Sequence, residues 1–75
     1  MLKKVVEELL SIKGITKEQL CRKLKMSMYD FKKYEKKEFK TMPVIKVTYM
    51  AWYLEVPFAF IERIYQYNKF TNKVN

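Results

Sequence analysis

The chain has 75 residues, enough for one domain, and its single cysteine (Cys21) and absence of histidine exclude both a disulfide and a Cys/His metal cluster. An apolar share of 49% suffices for a small helical core, while one glycine and two prolines supply too few turns for an all-β fold. The net charge is +8, and residues 13–46 carry +7 of it, with eleven basic against four acidic side chains; this concentration favours a polyanionic partner over general solubility.

Lys3 and Lys4 resemble the start of a signal peptide, but Glu7 and Glu8 break the apolar run at once. Leu2, Val5, Val6, Leu9, Leu10 and Ile12 recur at helical spacing up to Gly14, which suits a left-handed helix end. Thr16-Lys17-Glu18-Gln19 is a capping box, and it opens a short helix carrying Leu20, Cys21 and Leu24. Ser27 caps a second short helix with Phe31 and Tyr34 on its apolar side. Residues 36–42 show no apolar period and read as a loop. Pro43 suits the first turn of a fourth helix, whose apolar face is Val44, Val47, Met50, Ala51 and Leu54, with Trp52 expected in or near the core. Val56-Pro57 ends it, and Phe58, Ile61, Ile64 and Tyr65 mark a fifth helix. The prediction is an all-α domain of five helices over residues 1–70, with a flexible tail at 71–75.

Two short helices joined by a turn of a few residues have the spacing of a helix-turn-helix. The run Gly14-Ile15-Thr16-x-Glu18-x-Leu20-Cys21-x-x-Leu24-x-Met26-Ser27-x-x-x-Phe31-x-x-Tyr34-Glu35 resembles the DNA-binding domain of phage Cro/C1-type repressors, the XRE family. Pro43-x-x-x-Val47-x-x-Met50-Ala51-x-x-Leu54-x-Val56-Pro57 is similar to that family's fourth helix and its entry to the fifth. The resemblance spans roughly residues 2–64. It implies a five-helix bundle of lambda-repressor-like type, and a transcriptional regulator, a repressor, that binds a pseudo-palindromic operator in double-stranded DNA as a homodimer.

By position, the resemblance makes Lys17, Met28, Tyr29, Lys32 and Lys33 base-reading candidates. It makes Thr16, Lys36, Lys37, Lys40 and Thr41 phosphate contacts. The family often dimerises through the C-terminal end of the fold. Four aromatics there, Phe60, Tyr65, Tyr67 and Phe70, are the expected dimer interface, with Leu10 or Ile12 as further contributors. The chain departs from the family pattern in three places. Lys25 stands where the turn usually has glycine, Leu10 where an arginine often pairs with the residue at Glu35, and Met28-Tyr29-Asp30 where arginine, glutamine or serine is usual. Without that arginine, Glu35 is expected to face solvent or to find a lysine such as Lys13.

Cys21 is read as a buried, inert thiol. Neither a catalytic constellation nor a glycine-rich phosphate loop stands out, so no enzymatic activity, no cofactor and no small-molecule ligand are expected. No membrane span is expected, and the free cysteine fits a reducing cytoplasm, with a nucleoid-associated location. The resemblance suggests a phage or mobile element as the source. A second reading keeps the fold and changes the partner. In it the module binds protein through Met28 and Tyr29, as an antirepressor or an inhibitor of a nucleic-acid enzyme would.

Overall fold

The computed structural model describes the backbone of residues 1–74 and the side chains of residues 1–67. The side chain of the candidate interface residue Phe70 and residue 75 of the expected tail lie outside what is so described, while the backbone of residues 71–74 continues as helix. Five helices follow in chain order: α1 (Leu2–Lys13), α2 (Lys17–Leu24), α3 (Met28–Lys36), α4 (Val44–Tyr53) and α5 (Phe58–Val74). Among the described residues there is no strand.

Each boundary has a local chemical cause. Gly14 closes α1 in the left-handed conformation, φ 66°, which costs glycine nothing. The capping box at the start of α2 is complete: the Gln19 N–H donates to Thr16 Oγ1 at 3.1 Å, and the Thr16 N–H donates to Gln19 Oε1 at 2.8 Å. Lys25 ends α2 at φ 54° and ψ 49°. The turn therefore keeps the left-handed geometry that glycine would favour, at a backbone cost of about 1 kcal/mol for a lysine. The Ser27 hydroxyl then accepts from the Asp30 N–H at 3.1 Å and starts α3.

The core is one cluster built from every helix. Leu2, Val6 and Leu10 of α1 meet Leu20, Cys21 and Leu24 of α2, Phe31 of α3, Val47, Met50 and Ala51 of α4, and Ile61 and Tyr65 of α5. Leu54 at the end of α4, and Phe39 and Met42 from the segment between α3 and α4, complete it. Glu38 and Phe39 both take positive φ, 55° and 61°. That double reversal turns the Phe39 ring inward to within 5.5 Å of the Phe31 ring. Two strained residues cost about 2 kcal/mol together, and burying one phenyl side chain offsets that at about 2–3 kcal/mol.

Several expectations change here. Trp52 is not in or near the core: it is 80% exposed on the outer face of α4. Tyr65 is the reverse, 3% exposed, with its hydroxyl donating to the Met42 carbonyl at 2.8 Å. It belongs to the core and leaves the set of surface aromatics. Leu10 is buried as well, so on α1 only Ile12 remains outward of the two proposed interface contributors. No helix of the described residues is long and apolar enough to cross a membrane.

Candidate nucleic-acid interface

Helix α3 is short, and its burial pattern divides it sharply. Phe31 and Glu35 point inward, while Tyr29, Lys32, Lys33 and Lys36 are exposed. Spacings of three and four residues put these four side chains on one stripe. The Lys33 ammonium lies 5.9 Å from the centre of the Tyr29 ring, a cation–π distance. Beyond the helix, Lys36, Lys37, Lys40 and Thr41 line an open depression of about 380 Å³. The structure thus brings three of the base-reading candidates together and sets four of the five phosphate candidates beside them.

Two acidic side chains fall within this lysine run, and both are turned away from it. Glu35 is 7% exposed and pairs with Lys17, whose Nζ sits 2.6 Å from Oε2. That oxygen has no aligned hydrogen-bond donor, so the ion pair alone compensates its burial. Glu38 accepts from the Lys3 N–H at 3.0 Å and from the amino group of Met1, which ties the loop to the first turn of α1. The N-terminal ammonium, ahead of the Lys3 amide, holds the Glu38 carboxyl below the usual carboxylate range. What the α3 stripe and its loop present outward is therefore mostly lysine. Asp30 is the exposed exception, in the first turn of α3.

Lys17, a base-reading candidate by position, is engaged in ion pairs within the fold. Its ammonium reaches Glu35 of α3 at 2.6 Å and Glu7 of α1 at 3.2 Å. The Glu35 contact is the main reason its pKa lies above the ordinary lysine value, with Glu7 adding to it and partial burial opposing. Lys17 also answers the missing arginine: Glu35 pairs with it and not with Lys13, which instead holds Glu55 at 2.8 Å. Thr16 is held in the capping box, where its amide donates to Gln19 and its hydroxyl oxygen accepts from it, leaving the exposed hydroxyl its own proton to donate.

Met28 is half-buried, and the Cys21 thiol lies 3.3 Å from its sulfur. Of the Met28-Tyr29 pair only Tyr29, 74% exposed, stands clear in solvent. Burial pushes the Cys21 thiol pKa up, as suits an inert thiol. Of the aromatics expected at an interface, Phe60 and Tyr67 are exposed on α5. Among the described residues no group of three or more Cys, Asp or Glu is placed to hold a metal ion.

No protein family's sequence profile matches the chain, and neither a curated protein nor a solved structure is significantly similar to it. The chemistry of the surface is thus the ground for any functional reading.

Sequence reasoning missed two features. One is Lys46, whose ammonium donates to the Leu24 carbonyl at 2.6 Å and caps the C-terminus of α2 from α4. Its neighbours in sequence are apolar, and nothing local marks a lysine that reaches another helix. The other is the outward face of α4, where Ile45, Tyr49 and Trp52 follow one another at i, i+4 and i+7. The helical spacing of these three residues is the signal in the sequence that could have found it.

Proposed function

We propose that the chain is a double-stranded-DNA-binding transcriptional regulator of the helix-turn-helix type, a repressor, with α2 and α3 as the motif and α3 as the recognition helix. The observation that carries this reading is the continuity of the exposed lysines. Lys32, Lys33 and Lys36 on α3 run into the depression lined by Lys37, Lys40 and Thr41, while Glu35 and Glu38 are bound elsewhere. Lysine ammonium groups suit phosphate oxygens, which fix register, while Tyr29 in the first turn of α3 and Lys33 in its last turn, both exposed, can reach base edges. The competing reading, a protein-binding module, relies on Met28 and Tyr29 as paired anchors. The Met28 sulfur contact with Cys21 leaves it one anchor in place of two.

The test is the salt dependence of binding. Each phosphate neutralised on duplex DNA contributes a slope of about −0.9 to the plot of log affinity against log salt. Lys36→Ala and Lys40→Ala should each weaken binding and flatten that plot by about one such unit. Selection from a random duplex library should return a palindromic consensus if the protein acts as a symmetric dimer. Affinity for duplex DNA no greater than that of an unrelated protein of equal charge, at physiological salt, would refute the proposal.

A further inference from the structure

A second surface shares no residue with the α3 stripe. Trp52, Tyr49 and Ile45 form an exposed apolar strip on α4, opposite the buried Val47, Met50 and Ala51. Against the C-terminal end of α2 this strip forms a groove of about 280 Å³, lined by Lys23, Leu24, Lys25, Lys46, Tyr49, Trp52 and Tyr53. The apolar surface continues past Trp52 into a second depression with Thr48, Val56 and Phe58. A tryptophan left 80% in water beside a tyrosine and an isoleucine is an expensive surface for so small a domain. Tryptophan and tyrosine are also the residues most enriched where partners anchor.

The charge around the groove narrows what can fill it. Three of its seven lining residues are lysines, and none is acidic. Helix α4 itself carries no acidic side chain, and Glu18 lies at the opposite end of α2. Glu55, which follows α4, is drawn to Lys13. Lys23 lies 5.8 Å from the centre of the Tyr53 ring, so one cation is held on the groove's aromatic wall. A second copy of the same face would set lysines against lysines. Nucleic-acid bases would stack on Trp52, Tyr49 or Phe58, but the aliphatic Ile45 and Val56 beside these rings offer bases no flat partner and suit bulky apolar side chains instead.

We propose that this groove between α2 and α4 is a docking site for an acidic protein segment with bulky apolar side chains. The segment's leucine or phenylalanine side chains would seat against Tyr49 and Trp52, and its carboxylates would meet Lys23 and Lys25, in the manner of a helix laid in a groove. This proposal does not rest on DNA binding by α3.

Trp52 is the only tryptophan in the chain, so its fluorescence reports directly on the groove. The probe is a synthetic peptide alternating Glu-Glu with Leu-Phe pairs, added to the full chain without DNA. The expected result is a saturable blue shift of Trp52 emission. Lys23→Glu and Tyr49→Ser should each weaken it about tenfold, because both side chains are exposed and neither belongs to the core. The same peptide with Lys in place of Glu should produce no shift, and Lys33→Ala should leave the affinity unchanged. Three outcomes would overturn the proposal: no shift, a shift with single-stranded oligothymidine in place of the peptide, or a shift that follows protein concentration alone. The last two would assign the groove to nucleic acid or to self-association.

Discussion

Lys17 illustrates how far a residue's role depends on what folds beside it. From its place at the start of α2 it reads as a DNA contact, yet its ammonium lies between Glu7 and Glu35 and links three helices. Removing that ammonium would strand the Glu35 carboxylate, which is 7% exposed. Lys17→Met should therefore destabilise the fold by about 2 kcal/mol, below the range for a fully buried pair because Lys17 is itself partly solvated. In urea unfolding, the double variant Lys17→Met/Glu35→Leu should recover most of that loss, since both charges are then gone. The pH dependence has a definite sign. The folded pKa of Lys17 is raised, so its contribution is fully present below the ordinary lysine value and is lost as pH rises through the folded one. Wild-type stability should converge on that of Lys17→Met in strongly alkaline solution. A Lys17→Met variant of unchanged stability with a flattened salt plot would return the residue to the DNA.

At the scale of elements, much was legible in the sequence, because helix ends and apolar periods are local properties. Gly14, Thr16, Ser27 and Pro43 mark boundaries that the folded chain keeps to within a residue or so. The α3–α4 segment was the opacity. Phe39 and Met42 are core residues with no periodic neighbours, and only a pair of left-handed residues turns Phe39 inward. Trp52 and Tyr65 were mistaken for the same reason in opposite directions: a helix with two apolar stripes does not say which one faces the core. The loop's attachment to α1 through Glu38 was equally hidden, since the partners lie more than thirty positions apart. Its consequence can be measured. The folded pKa of Glu38 is lowered, so its stabilisation is present above the ordinary carboxylate value and disappears as pH falls through the folded one. Glu38→Gln should melt at a lower temperature than wild type at neutral pH, and the two should converge in acid. Amide exchange in residues 37–42 should also quicken in the variant, because that contact anchors the loop. A gap in melting temperature that persists in acid would show that Glu38 acts through something other than its charge.

For the whole molecule, the open question is how the exposed apolar surface is shared among partners. Phe60 and Tyr67 lie seven residues apart on α5, hence on one face, and Tyr67 borders a depression with Met1, Arg63 and Ile64. This face is distinct in residues from the α4 strip of Ile45, Tyr49 and Trp52. If α5 is the homodimer interface, the two copies of α3 would have to stand about 34 Å apart, one turn of duplex DNA, to read both half-sites. The acidic segment would then keep the α2–α4 groove, and the two assignments predict different variants. Sedimentation at micromolar concentration should give a dimer for wild type and for Trp52→Ser, and a monomer for Tyr67→Glu. Because linked half-sites gain avidity without any new contact, the monomer should lose about a hundredfold in affinity for a full palindromic site. Its affinity for an isolated half-site should be unchanged, since no α3 residue has been touched. If Trp52→Ser dissolves the dimer and Tyr67→Glu does not, the α4 strip is the self-association surface. The groove then has a second copy of the chain as its occupant, and the acidic-segment assignment falls with the α5 one.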